Sequence, residues 1–321
     1  MGTQYHITLI RSESTNSIPT SKIKKQIKSL LSNINQQMST YISDSEISKF
    51  NKYQQSDWFP VSIDFADVVL ASKKVSKLSQ GAFDITISPL IDLWGFGNKT
   101  QVEIPTDKQI QTTFRYIGYQ LLEVRRTPPA LRKLNKNLRI DLSAIAKGFA
   151  IDKITTYLNQ IGFNNTLVEI GGEIRTQGFN ARGKPWRIGI ESPNNNDAKV
   201  NNSLITSNIS MATSGDYRNY FVKNNRRYSH TIKPKTGKPV NHHLASVTVL
   251  DESAMIADAY ATALMVLGEE KGRTFIIQNK LHANMIFRKK SKYKVWQNID
   301  NIKIPQSKQR CVKVSGCIYL E

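Results

Sequence analysis

Short strand-like segments, separated by turn signals, run through the middle of this sequence between helical patterns. Four of them are TLVEIGGEIRTQG, WRIGIES, RYSHTI and ASVTVL. The turns between them include NARGKP and KPKTGKP, whose Gly, Pro and Asn residues favour reversals of the chain. We therefore predict one α/β (α+β) domain, with helices packed on mostly antiparallel sheets.

Apolar residues at helical spacing predict helices on both sides of this region. A long amphipathic pattern covers residues 21–41. Three further patterns each end near a glycine, which favours a helix end: residues 65–78 before Gly81, residues 151–161 before Gly162, and residues 251–267 before Gly268. A short strand and a tight turn at residues 141–144 precede the second of these three, and KLHANMIFR indicates one more strand after the last.

The chain after Arg288 differs from the rest because it is rich in lysine and only weakly periodic. We divide the sequence into a main domain at residues 1–288 and a basic C-terminal extension at residues 289–321. Solvated surface is the first interpretation of the extension, and an arm that binds a partner is the second. Cys311 and Cys317 lie in it and are either a small disulfide loop or two free thiols.

Composition restricts the class of protein but does not identify its ligand. With 39% hydrophobic and 22% charged residues, the 321-residue chain can bury a substantial core. Its 45 Lys and Arg against 25 Asp and Glu give a net charge of +20, which favours anionic ligands, acidic partners or a membrane surface. No apolar run approaches the roughly 20 residues of a membrane span.

Common nucleotide and hydrolase motifs are absent from the sequence. It contains no G-x-G-x-x-G after a strand, no G-x-x-x-x-G-K-S/T, no H-E-x-x-H and no G-x-S-x-G. These absences disfavour a Rossmann site, a P-loop, a zinc-protease site and a serine-hydrolase site.

The stretch ADAYATALMV places a carboxylate and a hydroxyl, Asp258 and Thr262, four residues apart on a predicted helix. Residues at this spacing share one helix face, so the two side chains can bind one metal ion together. The alternative is structural: Thr262 bonds back to the carbonyl of residue 258, and Asp258 is an acid at the helix start.

Other polar residues lie beside glycines in GAFDITISPL, DLSAIAKG, EIGGEIRTQG, TSGDYRNY and YSHTIKPKTG. Each has a structural alternative: Asp84 can cap a turn, Gly171 and Gly172 can permit close packing, and His230 can be a satisfied histidine of the core. Together they contain what diphosphate chemistry needs, namely oxygen ligands for a hard cation and a base that titrates near neutral pH.

The order and wording of these segments resemble the ApbE family of FAD:protein FMN transferases. The resemblance runs from MGTQY through MSTYISDSEISKFN, GAFDITISPLIDLWGFG, IDLSAIAKGFAID, LVEIGGEIRTQG, WRIGIESP, MATSGDYRNY and YSHTIKPKTGKPV to MIADAYATALMVLG. It covers nearly all of residues 1–288, and it implies a T-fold-like domain around a central flavin cleft.

The resemblance also implies ligands for individual residues. Mg²⁺ would be bound by the side chains of Asp258 and Thr262 and by the backbone carbonyl of Ala144. FAD contacts are implied for Met1, Tyr41, Ala82, Phe83, Asp84 and Asp141. For the aromatic rings of Tyr41 and Phe83, burial in the core is the alternative.

The reaction that the resemblance implies joins FMN to a threonine hydroxyl of a target protein through a phosphoester and releases AMP. His230 is our candidate for the base. Two alternatives are an FAD pyrophosphatase, in which water is the acceptor, and a flavin-binding or anionic-surface-binding protein without turnover. A nucleic-acid partner is not expected, because no basic stripe is interleaved with aromatic residues.

Targets in this family are flavin-carrying subunits of membrane redox complexes, of the quinone reductase or Rnf type. Their orientation implies a location in the periplasm or on the outward face of the cytoplasmic membrane, with a lipid-anchored full-length form. The opening MGTQYHITLI shows no signal pattern, as expected of a mature or trimmed form or of a cytoplasmic member.

Overall fold

The computed structural model describes residues 2–97, 103–191, 200–216, 220–289, 292–299 and 317–320. In this part of the chain the α-helices are α1 (Thr20–Met38), α2 (Glu46–Lys52), α3 (Ile63–Leu78), α4 (Ser88–Leu93), α5 (Asp107–Thr113), α6 (Ala146–Gln160) and α7 (Ala254–Gln278). Single 3-10 turns occur at Glu13–Thr15, Ile85–Ile87, Phe114–Tyr116 and Tyr119–Leu121. None of these helices is both long and apolar enough to cross a membrane.

The strands, in chain order, are β1 (Tyr5–Ile10), β2 (Phe59–Pro60), β3 (Leu122–Arg126), β4 (Pro129–Lys133), β5 (Thr166–Ile170), β6 (Glu173–Gln177), β7 (Trp186–Glu191), β8 (Val200–Thr206), β9 (Ile209–Gly215), β10 (Tyr220–Lys223), β11 (Arg226–Ser229), β12 (Ile232–Lys233), β13 (Lys238–Pro239), β14 (Leu244–Asp251), β15 (His282–Lys289), β16 (Lys292–Gln297) and β17 (Cys317–Leu320). Eight of them form one sheet in the order β16-β15-β14-β9-β6-β5-β1-β17. Every pairing among the described strands is antiparallel, so the predicted fold class is confirmed.

The eight-stranded sheet is covered on both faces. Helices α6 and α7 pack against β5, β6, β9 and β14, and α1 and α3 lie outside them. The β7–β8 hairpin contributes Trp186, Ile188 and Ile190 to a second apolar cluster with Met211 of β9. Because both faces are covered, β14 is buried from residue 244 to residue 250, including the polar side chains of Ser246 and Thr248.

Gly268 interrupts the last helix, as the sequence predicts, but a second helical part that was not predicted follows it directly. Helix α7 continues to Gln278, and Gly268 forms a break inside it with φ 76° and ψ −162°. The ring of His242 lies against this break: its Nε2–H donates to the carbonyl of Met265 at 2.8 Å, and a Cβ on Gly268 would lie 2.7 Å from its Cδ2. A glycine is therefore required for a local kink here, and the helix resumes after it.

Parts of the predicted C-terminal extension belong to the main sheet. Strand β16 pairs with β15 at one edge, and β17 pairs with β1 at the other. A separate role for residues 289–321 stays a prediction. Cys311 lies outside the described residues, so the pairing of the two cysteines also stays a prediction.

A buried lysine joins β4 to the end of α2. Lys133 is 1% exposed, and its ammonium donates to the carbonyls of Asn51 at 3.1 Å and Tyr53 at 2.9 Å. It also lies 4.8 Å from the centre of the Phe50 ring. These contacts satisfy carbonyls at the C-terminus of the helix, where a cation is favoured.

Lys133 is expected to make stability rise with pH in the alkaline range. Burial lowers its pKa from 10.5 to about 8. Between these values the folded protein binds fewer protons than the unfolded chain, so the free energy of unfolding increases with pH. Between about pH 8 and about pH 10, the free energy of unfolding of the wild type should increase by on the order of 1 kcal/mol relative to that of Lys133→Met. Urea unfolding of both proteins measures this gain, and a difference that does not change with pH would contradict it.

Candidate active site

A cavity of about 420 Å³ opens between the start of α6, β9, α7 and the segment that follows β11. Eight of the ten residues predicted from sequence line it: Ala82, Phe83, Asp84, Asp141, Ala144, His230, Asp258 and Thr262. These residues come from four separate segments of the chain. The structure therefore brings together a set that the sequence only suggested.

The two remaining residues do not line this cavity. Tyr41 is 83% exposed and lines two adjoining cavities, which share Asp141 and Ser143 with the first. The exposed ring excludes the alternative that Tyr41 is a core aromatic. Phe83, by contrast, is 2% exposed and belongs to the main apolar core, so its structural role is present as well. Met1 lies outside the described residues.

The predicted tight turn at residues 141–144 forms one wall. Asp141 Oδ1 accepts the N–H of Ser143 at 2.7 Å, which closes the turn, and its own N–H donates to the carbonyl of Ile85 at 2.8 Å. The turn is thereby held against the 3-10 turn at Ile85–Ile87, and Ser143 and Ala144 of the turn line the cavity.

Asp84 has the turn-capping role that was its structural alternative. Its Oδ1 accepts both the N–H and the O–H of Thr86, at 2.9 and 2.7 Å, and its Oδ2 accepts the N–H of Tyr119 at 2.9 Å. Burial raises the pKa of Asp84, and these hydrogen bonds oppose the rise. Both carboxylate oxygens are bonded within the protein, so Asp84 fixes the shape of the wall. Its contact with FAD stays a prediction.

Asp258 and Thr262 lie on the α7 face that borders the cavity, as their spacing predicts. Asp258 is 4% exposed, and its Oδ2 accepts the N–H of Gly148 at 3.2 Å. Thr262 Oγ1 lies 3.3 Å from the hydroxyl of Ser214 on β9, its hydrogen-bond contact among the described residues. The structural alternative of a bond from Thr262 to the carbonyl of residue 258 is therefore not observed.

The start of α7 is fixed by other residues, so Asp258 is not a helix-start acid. Ser253 Oγ accepts the N–H of Ile256 at 3.3 Å. Asp152 of α6 accepts the N–H groups of Ala254 and Met255, both at 3.0 Å, and the hydroxyl of Ser253 at 2.7 Å. A carboxylate suits the N-terminus of a helix, so Asp152 joins α6 to α7 and sets the depth of Asp258 in the cavity.

Sequence reasoning missed two charged residues of the cavity, Lys147 and Glu173. The ammonium of Lys147 lies 3.5 Å from Glu173 Oε1 and 3.7 Å from Asp258 Oδ2, and it donates to the carbonyl of Ser143 at 3.2 Å. Glu173 follows the turn at Gly171, where φ is 61°, and it is 4% exposed. Charged residues inside the motifs AKG and GGE were the only signal in the sequence.

Three ionisable groups in this cavity influence one another. Burial, followed by the charge of Asp258, raises the pKa of Glu173 to about 8. Burial also raises the pKa of Asp258, and the ammonium of Lys147 opposes this rise. Burial lowers the pKa of Lys147, but Asp258 and Glu173 outweigh burial and the net direction is upward. Two buried carboxylates thus share one ammonium, an arrangement that can accommodate additional positive charge.

The donor atoms of the cavity fit a hard cation such as Mg²⁺. Among the described residues, no group of three His, Cys, Asp or Glu side chains forms a metal site. A cation here would instead bind the carboxylate of Asp258, the hydroxyl of Thr262 and the carbonyl of Ala144, since these three residues line the cavity. Hard cations bind oxygen ligands of these three kinds.

Comparison with known proteins identifies the family. The ApbE family matches residues 1–287. This chain belongs to the ApbE family. An FAD:protein FMN transferase of Vibrio cholerae serotype O1 is 42% identical over 289 residues, which cover 90% of this chain and 85% of that protein. One of Haemophilus influenzae is 40% identical over 293 residues, which cover 90% and 84%.

Solved structures of ApbE proteins share this fold. The flavin transferase ApbE from Vibrio cholerae superposes with a TM-score of 0.84 at 40% identity, covering 92% of this chain and 94% of that one. The apo form of Pseudomonas stutzeri flavinyl transferase ApbE also gives 0.84, at 35% identity, with 91% and 90% covered. The predicted membership of the ApbE family is confirmed.

His230 lies where the main cavity meets the adjoining cavity that contains Tyr41. It lines the first cavity together with Asp258, and it lines the second together with Tyr41. Its ring meets Phe96 edge-on at 6.4 Å between centroids. A group at this position can contact one molecule in the cavity and a second that arrives through the adjoining opening.

Proposed function

We propose that this protein is a Mg²⁺-dependent FAD:protein FMN transferase, which joins FMN from FAD to a threonine hydroxyl of a target flavoprotein subunit and releases AMP. The observation that carries the proposal is the convergence of Asp258, Thr262, Ala144 and His230 on one cavity. ApbE relatives at 42% and 40% identity, both named FAD:protein FMN transferase, support the enzyme class.

The chemistry requires one substitution at phosphorus. The threonine oxygen forms a bond to the FMN-side phosphorus of FAD, and the bond from that phosphorus to the bridging oxygen breaks. AMP leaves with the electron pair of the broken bond. His230 takes the proton from the threonine hydroxyl, and no oxidation or reduction occurs.

Asp258, Thr262 and Ala144 would hold the Mg²⁺ ion. When bound, Mg²⁺ supplies neutralisation of the diphosphate charge and Lewis acidity at the reacting phosphorus. The turn at Asp141 and the wall at Ala82–Asp84 would orient the flavin portion, since both lie in the same cavity. Tyr41 would offer its exposed ring to a ring of FAD, because aromatic faces stack.

The position of His230 suits a protein acceptor. The adjoining cavity of about 430 Å³ contains His230, Tyr41 and Asp141 and opens beside the first. A threonine on an extended segment could approach His230 through this opening. We propose flavin-carrying subunits of membrane redox complexes, of the quinone reductase or Rnf type, as acceptors. A location in the periplasm or on the outward face of the membrane, as a lipid-anchored full-length form, agrees with such partners.

The direct test is to incubate the protein with FAD, Mg²⁺ and a flavin-carrier subunit and to measure the intact mass of the carrier. A mass gain equal to one FMN, with AMP released, is the expected result. AMP without a mass gain on any carrier tested would favour an FAD pyrophosphatase. Bound FAD with no AMP would favour a flavin-binding protein without turnover.

Replacing His230 by glutamine is expected to lower the rate of FMN transfer about 100-fold, because general-base catalysis contributes on this order. Affinity for FAD should change by less than about threefold, since the base acts on the acceptor hydroxyl. His282→Gln, on β15 and outside the cavity, is the matched control and should retain the wild-type rate. Transfer by His230→Gln at the wild-type rate would show that the proton goes elsewhere.

A further inference from the structure

Lys147 is the only lysine or arginine among the described residues that line the main cavity, although the chain carries a net charge of +20. It lies in the first turn of α6. Its ammonium is surrounded by Ser143 O at 3.2 Å, Glu173 Oε1 at 3.5 Å and Asp258 Oδ2 at 3.7 Å. The positive charge of the cavity is therefore concentrated at one side chain, between two buried carboxylates.

The contact with Asp258 conflicts with metal binding at the same residue. A Mg²⁺ ion binds a carboxylate oxygen at about 2.1 Å. An ammonium that stays 3.7 Å from Asp258 Oδ2 would then lie within a few ångströms of a doubly charged cation, and the two would repel each other strongly. Metal and ammonium therefore compete for the negative charge of Asp258.

A second cavity borders the side chain of Lys147. Besides the main cavity, Lys147 lines this adjoining cavity of about 220 Å³, which also contains Tyr41 and Asp141. A lysine has four flexible carbons and three donors, so its ammonium can swing without movement of the helix. Glu173 Oε2 is buried and has no hydrogen-bond partner among the described residues, so it offers a second acceptor nearby.

We propose that Lys147 is an exchangeable internal cation, which neutralises Asp258 and Glu173 before the ligands bind and moves onto the diphosphate of FAD when the metal ion takes its place at Asp258. The identity of the anion rests on the proposed function. Lysine is well suited to this role, because it contacts phosphate oxygens as a mobile point charge. Lys147 is then a substrate-binding residue that contacts the two carboxylates first and the diphosphate of FAD afterwards.

The exchange predicts opposite effects on two affinities. Without the ammonium, a metal ion alone no longer competes for Asp258, so its affinity rises. FAD in the presence of metal loses a cationic contact, so its affinity falls. A residue that only supports the structure would weaken both or neither, and reciprocal coupling of this size changes affinities by about 5-fold to 150-fold.

The test uses Lys147→Met. Binding of Mn²⁺ to the protein without FAD is measured from the loss of the free-ion electron paramagnetic resonance signal, and binding of FAD at saturating Mg²⁺ is measured from flavin fluorescence. We expect the Mn²⁺ affinity to rise about tenfold and the FAD affinity to fall about tenfold. Lys147→Arg, which keeps the cation, should restore most of the FAD affinity. Lys153→Met, on the same helix and paired with Asp64 at 3.0 Å, is the matched control and should change neither.

An Mn²⁺ affinity that stays constant or falls in Lys147→Met would overturn the proposal, and so would an unchanged FAD affinity. If Lys147→Met does not fold, Lys147→Gln keeps an uncharged hydrogen-bonding group and must give the same opposite shifts. The outcome is separate from that of the proposed function. A wild-type protein that binds neither Mn²⁺ nor FAD contradicts the function itself, whereas wild-type binding with no shift in the variants contradicts only the exchange.

Discussion

Replacing Asp258 by asparagine is expected to lower FMN transfer by about three orders of magnitude and to leave the protein at least as stable as the wild type. The variant loses the only charged ligand of the proposed metal site. A catalytic metal ion contributes several kcal/mol to the barrier, and about 4 kcal/mol corresponds to a factor of 10³ in rate.

The opposite effect on stability follows from the burial of Asp258. Asparagine has the same shape, and its side-chain oxygen can still accept the N–H of Gly148, which lies 3.2 Å from Asp258 Oδ2. Burial raises the pKa of Asp258. At pH values above the usual pKa of an aspartate, the folded protein therefore still holds a proton that the unfolded chain has released. Its ionised form therefore lowers stability as pH rises through that range toward neutrality, and asparagine removes this contribution. Lys147 keeps Glu173 as a partner.

Two measurements check this prediction: the rate of mass gain of the carrier with Mg²⁺ present, and urea unfolding in metal-free buffer. Asp67→Asn is the control, because Asp67 forms a surface ion pair with Arg126 at 2.7 Å and lies outside the cavity. Transfer at the wild-type rate would reject Asp258 as a metal ligand. A variant that loses several kcal/mol of stability would show that the buried carboxylate is structural.

Much of the architecture could be predicted from the sequence because local residue patterns agree with the packing of the folded chain. The spacing of Asp258 and Thr262 placed both on one face of α7, and the Asp-Leu-Ser-Ala stretch predicted a turn whose Asp141 side chain indeed closes it. The turn signal KPKTGKP joins β12 to β13, which pair in antiparallel fashion. In each case the deciding interaction lies within about five residues in the sequence.

The errors and omissions arise from interactions between distant segments. The sequence predicts the interruption at Gly268 but not the second helical part, which continues to Gln278 after a kink that His242, 26 residues earlier, supports. Strand β16 resembles a weakly periodic basic tail in sequence because it is an edge strand. Its side chains are mostly exposed, so charged residues are tolerated and strict alternation of apolar and polar residues is not required. The pairing of Lys147 with Glu173 joins residues from α6 and β6, which no local pattern reveals.

Gly148→Ala is expected to lower the free energy of unfolding by about 3 kcal/mol and to reduce transfer together with it. A Cβ at this position would lie 2.6 Å from the backbone nitrogen of Met255 and closer still to the carbonyl oxygen of Ala254. Overpacking of a filled site costs roughly 1–3 kcal/mol or more, and backbone atoms yield less readily than a side chain. The helix propensity of alanine acts in the opposite direction by about 1 kcal/mol and is outweighed.

Thermal and urea unfolding of Gly148→Ala measure the loss, and Gly272→Ala is the matched control. Gly272 lies in α7, where the nearest atom to an added Cβ is the flexible Met285 Cε at 3.0 Å. We expect Gly272→Ala to remain within about 1 kcal/mol of the wild type, since the methionine can shift and the propensity of alanine assists. Equal stability of Gly148→Ala and the wild type would mean that α6 and α7 can separate at this crossing.

Stability and activity should fall together in Gly148→Ala because one contact serves both. The residue that permits the close approach of α6 to α7 also donates its N–H to Asp258, while Asp152 of the same helix holds the start of α7. Displacing α7 at Ala254 therefore moves Asp258, one turn further along, relative to Ala144 and Lys147 on the α6 side. Shortening Ala254 to glycine should not rescue the variant, because the clash is with its backbone oxygen. A rescue would show that the clash involves the side chain of Ala254 and not its backbone. It would contradict the expectation that packing of α6 on α7 determines the position of the Asp258 carboxylate.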